Sequence, residues 1–116
     1  MAHTAGGSLR FGIDERKLAA VRDYRTSPLY TEAERAALDF TIEAAAQPNA
    51  VTDESFAKLK RHWNEGQIVE IVGVIALFGF LNRWNDTMAT PLEEEPIEVG
   101  EKYLASHGWH VGKHRA

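Results

Sequence analysis

From Ile68 to Leu81 the chain runs for 14 residues with one charged side chain, Glu70, and no polar face at any helical register. A helix that is apolar all round is buried all round, against its own domain or a neighbouring subunit. The run falls short of the roughly 20 residues that span a bilayer. It is therefore read as the buried core helix of a soluble protein without a membrane partner. Asn64-Glu65-Gly66-Gln67 has the form of an Asn/Gln capping box and opens the helix. Extended to about Met88, the helix is roughly 36 Å long at a rise of 1.5 Å per residue. Gly73 and Gly79 lie inside it, each costing about 1 kcal/mol relative to alanine. Close approach of another helix would offset that cost, so both are read as packing residues.

The rest of the chain is rich in helix signals and poor in strand signals. Asp14 caps a helix reaching about Tyr24, with Leu18, Val21 and Ala20 inward, before Ser27-Pro28 breaks it. Thr31-Glu32-Ala33-Glu34 is a capping box for a helix to about Ala46, stopped ahead of Pro48, with Ala37, Leu38, Ile42 and Ala45 as its apolar stripe. Thr52 opens a third helix. Asp53 and Glu54 sit in its first turn, where the dipole favours negative charge, and Phe56, Leu59 and Trp63 point inward. Pro91 and the run Glu93-Glu94-Glu95-Pro96 read as a linker to a last short helix, about Ile97 to Ser106, closed by Gly108. The expectation is an all-α single domain over 1–116, about five helices around a long buried helix near 65–88, with 1–12 and 109–116 flexible or extended.

Composition narrows the function classes. The formal charge of −4 and the scattered Lys and Arg residues leave no basic stripe for nucleic acid. Lys58, Lys60 and Arg61 are close together but read as a solvated helix face. The absence of cysteine removes disulfides, thiolate nucleophiles and zinc sites of the Cys type. Residues 1–7 carry no apolar segment of the signal-peptide kind, and a cytoplasmic location is the default expectation.

Few residues can carry chemistry. Glu70 in the apolar run is either a buried general acid or base, or an ion-paired or first-turns carboxylate near the amino end of its helix. Asn82, Arg83, Asn85 and Asp86 crowd the carboxy-terminal part of the same helix, with Arg83 in reach of Asp86 at i+3. They line a polar pocket, form the edge of a subunit interface, or mark a helix leaving the core. His107, His110 and His114 bracket Gly108 and Gly112, so no single helix presents all three, and no metal site or cofactor is expected. GxSxG, P-loop and Rossmann glycine patterns are absent.

Three stretches occur in a telling order: Ser27 to Leu38, Ile68 to Asn85 with Asn82-Arg83-Trp84-Asn85 at its end, and Tyr103 to Trp109 followed by Gly112-Lys113-His114. This order resembles the carboxymuconolactone decarboxylase family, which includes the AhpD-like alkylhydroperoxidases. The resemblance implies an AhpD-like helical fold assembling through long apolar helices into a homo-oligomer, whether dimer, trimer or hexamer. Redox members of that family carry a C-x-x-C-x-x-x-H motif on a helix ahead of these stretches. His3 would match the motif histidine, with the second cysteine falling just before Met1. So close to a terminus, His3 is expected to be disordered.

The resemblance leaves the activity open. Peroxidase chemistry of the peroxiredoxin type needs an attacking and a resolving thiol, so this chain is expected to be catalytically silent, or to begin downstream of a longer protein's start. The alternatives are a cysteine-independent lactone decarboxylase-like enzyme using Glu70 or a histidine such as His3, and a small-molecule binding module near Asn82, Arg83 and Asn85.

Overall fold

Six α-helices and three short 3₁₀ turns make up all the regular structure of the computed structural model, which describes residues 1–116; no strand forms. Contacts divide the chain into two compact units. One is Met1–Leu29 with Asn85–Ala116, the other Tyr30–Trp84.

In the first unit, the segment expected to be flexible is helix α1, Ala2–Arg10. Its sequence hides it, because Gly6 and Gly7 weaken local helix propensity. Docking decides instead. Ala2 and Ala5 are buried, and their small side chains let α1 lie close to α6, Glu94–Tyr103, with Gly6 facing Val99. Ala5, Leu18 and Leu104 form the core of this unit, flanked by Leu9, Val21, Val99, Tyr103 and Trp109. Asp14 does cap the next helix by accepting from the Arg16 amide. That helix, α2, stops at Glu15–Ala19, and a separate 3₁₀ turn, Val21–Asp23, replaces its expected continuation. The acidic run expected to be a linker starts α6: Glu93 is its N-cap, and Glu94 and Glu95 lie in the first turn. Carboxylates are favourable there, and Pro96 lacks only an N–H that has no partner inside a helix start. After α6 a 3₁₀ turn, Ala105–His107, ends at Gly108 in the left-handed conformation, φ 85°, as its position suggested. The tail is not simply extended. Trp109 packs on the core, Gly112–His114 is a 3₁₀ turn, and the Leu92 amide donates to the His114 carbonyl at 2.8 Å.

The second unit holds α3, Glu32–Ala45, and α4, Asp53–Lys60, packed on each other. Reciprocal capping boxes start both, Thr31 with Glu34 and Thr52 with Ser55. Phe40, Leu59 and Ile68 form the core, with Phe56 and Trp63 against it as expected. The Phe40 and Phe56 rings meet edge to face at 5.4 Å, and Trp63 Nε1 donates to the Ala33 carbonyl. The packed face of α3 is rotated from the expected stripe. It keeps Ala37 of that stripe against the Phe40 cluster, adds the i+4 row Ala36, Phe40 and Ala44, and leaves Ile42 exposed.

The long helix α5, Glu65–Met88, forms with the expected bounds, and Asn64 and Gln67 exchange side-chain and backbone hydrogen bonds at its start. Its expected burial does not occur. Ile68 is its only buried residue, and Ile71 and Ile75 complete the face turned to the Phe40 cluster. On the other side Val69, Gly73, Leu77, Phe80 and Trp84, at spacings of three and four residues, are exposed. No atom approaches a Cβ built at Gly73 or Gly79 within 4 Å, so the close contacts expected there are absent within one chain. At 24 residues, with a mean hydropathy of 1.4 over its best window, α5 is long and apolar enough to cross a membrane by length and composition alone.

Candidate functional site around His3

The first turns of α1 place His3, Gly6, Gly7 and Arg10 on one side of a helix, at the i, i+3, i+4 and i+7 positions that share a face. Across from them stand Glu93, the N-cap of α6, and Glu95, Pro96 and Val99 in that helix. Together with Ala2 these residues line a hollow of about 300 Å³ inside the first unit. His3 Nε2 lies 2.8 Å from Glu93 Oε2, and Arg10 Nη2 lies 2.6 Å from both carboxylate oxygens of Glu95. Each end of the hollow thus has a cation-capable group backed by a carboxylate. The middle is bare backbone at the two glycines. Both ion pairs face solvent (side-chain exposure 59% for His3 and 73% for Glu93), so they orient groups more than they stabilise the fold. The Glu93 carboxyl is held below its ordinary value, first by its own backbone N–H and then by His3.

His3, expected to be disordered, is therefore ordered on α1 and anchored by a residue 90 positions away. Glu93 was missed because its acidic run reads as a linker. Its one signal was three consecutive carboxylates ahead of a helix, a pattern that marks an N-terminus.

The other candidates lie elsewhere. Glu70 is exposed on α5 and is not among the residues lining the hollow beside α1, so the burial that singled it out is absent. Asn82, Arg83, Asn85 and Asp86 are all exposed, and none of them lines the hollow beside α1. Asp86 pairs with Lys113 at 3.1 Å and His114 at 3.5 Å instead of with Arg83. Lys113 first, and His114 after it, hold the Asp86 carboxyl below its ordinary value. The tail histidines diverge: His107 Nε2 meets Asp23, His114 Nδ1 meets the Thr90 carbonyl, and His110 lies beside Gly112. No group of three or more His, Asp or Glu side chains is placed to hold a metal ion.

No family model matches the chain. Over 77 residues it is 34% identical to the uncharacterized protein YnjA of Escherichia coli (strain K12), a match covering 66% of this chain and 42% of YnjA. Among solved structures it is similar to the debrominase Bmp8, with 34% identity and a TM-score of 0.83 over 88% of this chain and 55% of Bmp8. One Bmp8 structure is the apo form, and the other is a cysteine-to-alanine variant in complex with 2,3,4-tribromopyrrole. The chain spans about half the length of these relatives. The identity and the TM-score together show that this chain has the all-helical, AhpD-like fold of Bmp8.

Proposed function

We propose that this chain is an AhpD-like domain that performs no thiol chemistry of its own and binds a small planar molecule in the hollow beside α1. In this reading His3 handles protons and Glu93 backs it. The observation that carries the proposal is the 2.8 Å contact between His3 Nε2 and Glu93 Oε2 on the rim of that hollow. A carboxylate on one imidazole nitrogen orients the ring and fixes its tautomer. With Nε2–H donated to Glu93, Nδ1 is the nitrogen left to take a proton from a ligand. Ala2, Gly6 and Gly7 wall the hollow with little side-chain bulk, which suits a flat ring. The similarity to Bmp8, solved with 2,3,4-tribromopyrrole, supports a small halogenated heteroaromatic as the ligand class to try first.

Titrating 2,3,4-tribromopyrrole into labelled protein should shift the amide signals of His3, Gly6, Gly7 and Arg10 saturably. His3→Ala should weaken the binding several-fold. Reduction of an organic peroxide with a dithiol donor should run at the rate without protein. Shifts confined to other residues, or peroxide turnover above that rate, would overturn the proposal. The same His3–Glu93 pair supports a second reading, a cysteine-independent acid–base enzyme of the lactone decarboxylase kind. It requires turnover of a carboxylated lactone by the wild-type chain and loss of that turnover in His3→Ala. In both readings the working form is a homo-oligomer that covers the outer face of α5.

A further inference from the structure

Three side chains of the first unit, none of which lines the His3 hollow, form a hydrogen-bonded relay. Ser106 Oγ lies 3.1 Å from His107 Nδ1, and His107 Nε2 lies 3.2 Å from Asp23 Oδ2. An ionised aspartate only accepts, so the ring carries its proton on Nε2. In the neutral ring Nδ1 is then bare, and the Ser106 hydroxyl donates to it. The backbone is fixed on both sides. Asp23 ends the 3₁₀ turn Val21–Asp23, and its carbonyl accepts from the Thr26 and Ser27 amides. Ser106 and His107 lie in the turn Ala105–His107, and the buried Leu104 before it accepts from the His107 and Trp109 amides. Val21 and Leu104 pack in one core, which joins the two turns although 84 positions separate Asp23 from His107. Ser106 is exposed, while the His107 side chain is only 28% exposed. The hydroxyl is thus open to a reactant and the imidazole is partly shielded.

The geometry points to an esterase site, with Ser106 as nucleophile, His107 as its general base and Asp23 as the positioning residue that holds the ring. A nucleophile in hydrogen-bond reach of a base, itself oriented by a third group, is what such catalysis requires, whatever the order in sequence. The substrate class is small esters of phenols. A phenoxide departs readily, so the acyl oxygen needs less help from hydrogen-bond donors than in an alkyl ester. Ser106 Oγ adds to the acyl carbon as its proton passes to His107 Nδ1. The bond from the acyl carbon to the phenolic oxygen breaks, that oxygen takes the proton, and a phenol leaves acylated Ser106 behind. Water then adds to the acyl carbon and gives a proton to Nδ1. The bond to Ser106 Oγ breaks, the proton returns to that oxygen, and a carboxylic acid is released. The site shares no residue with the His3 hollow and does not depend on what that hollow binds.

The test follows 4-nitrophenolate release from 4-nitrophenyl acetate by the full chain, with mass analysis of the acid-quenched protein. Surface imidazoles also cleave this ester slowly. His110→Ala, which removes an exposed histidine outside the relay, is therefore the reference and should keep the wild-type rate. Ser106→Ala and His107→Ala should each lower the rate at least tenfold, and the quenched wild type should carry an acetyl group on Ser106. Asp23→Ala should lower the rate several-fold, with recovery in Asp23→Glu, which keeps a carboxylate to accept from Nε2. Should His107→Ala fail to fold, Ser106→Ala, a change at an exposed hydroxyl, decides alone. An unchanged rate in Ser106→Ala, or acetyl groups on other residues only, would overturn the assignment; equal loss in both Asp23 variants would remove Asp23 from the relay.

Discussion

The indole ring of Trp109 occupies the space where residue 100 would carry a side chain: a Cβ built on Gly100 lies 2.4 Å from Trp109 Cη2 and 2.6 Å from two neighbouring ring carbons. Gly100 is buried in α6, and Trp109 packs on the Ala5, Leu18 and Leu104 core. The glycine is thus the notch that lets the tail fold back onto its own helix. Gly100→Ala should destabilise the protein by about 1–3 kcal/mol through overpacking, although alanine is the better helix former. A double-mutant cycle in urea separates the two effects. In a Trp109→Ala background the same substitution should turn neutral or stabilising, by up to about 1 kcal/mol. Destabilisation of equal size in both backgrounds would show that the ring is not the cause.

Leu59 is the one large side chain with no accessible surface, and it sits with Phe40 and Ile68 at the centre of the second unit. Leu59→Ala should cost about 2–5 kcal/mol, with the spread set by how far Phe56 and Trp63 collapse into the space. The neighbouring cap offers a calibration. Thr52→Ala removes the acceptor of the Ser55 amide and should cost about 1 kcal/mol. Chemical denaturation of the two variants should rank them in that order.

Local signals were legible in the sequence because their physics is local. The caps at Asp14, Thr31 and Asn64, the N-terminal Thr52 and the left-handed Gly108 all form where the residue pattern placed them. What depends on distant partners was not legible. Helix α1 is held by α6, from the far end of the chain, and its own Gly6-Gly7 argues against it. On α3, Phe40 and Ala44 pack beside Ala37 because Leu59 and Ile68 lie there, a fact that periodicity within α3 does not contain. The His3–Glu93 pair was half visible. The histidine could be singled out, and its carboxylate partner could not. Hydropathy of α5 showed how apolar the helix is without showing what covers it.

The end of α5 and the tail are joined through Asp86, which faces Lys113 and His114. Its folded carboxyl lies below the ordinary value of 3.8. The unfolded chain therefore takes up the proton first as pH falls. The stabilisation is complete above the ordinary value and is lost as pH drops through the lower, folded one. Amide exchange at Leu92, whose N–H is held by the His114 carbonyl, reports on this joint. Its protection should decline on acidification below about pH 4 in the wild type. In Asp86→Asn it should be weaker from the outset and less sensitive to acid. Equal acid sensitivity in the two proteins would place the effect in other carboxylates, with Asp14 and Glu15 the next to examine, since both are also depressed by cationic partners.

The outer face of α5 makes the sharpest demand on the protein's surroundings. Val69 is 71% exposed, Phe80 62% and Trp84 58%, with Leu77 between them and Gly73 open beside them. Burying a side chain of this size contributes about 1.5–3 kcal/mol, and such a stripe on a free surface favours association. A second copy of the chain laid along it should therefore give an oligomer in light scattering, and Leu77→Glu should shift that assembly toward monomer. A wedge gives the more discriminating experiment. Within one chain nothing lies within 4 Å of a Cβ at Gly73, so Gly73→Leu leaves the fold intact and improves local helix propensity. Against a closely approaching helix the same leucine would hold the two backbones apart. Gly73→Leu should thus keep or raise the melting temperature of the dilute chain while weakening association at least tenfold. A wild-type monomer at every concentration, or an assembly indifferent to both substitutions, would remove this face from the interface.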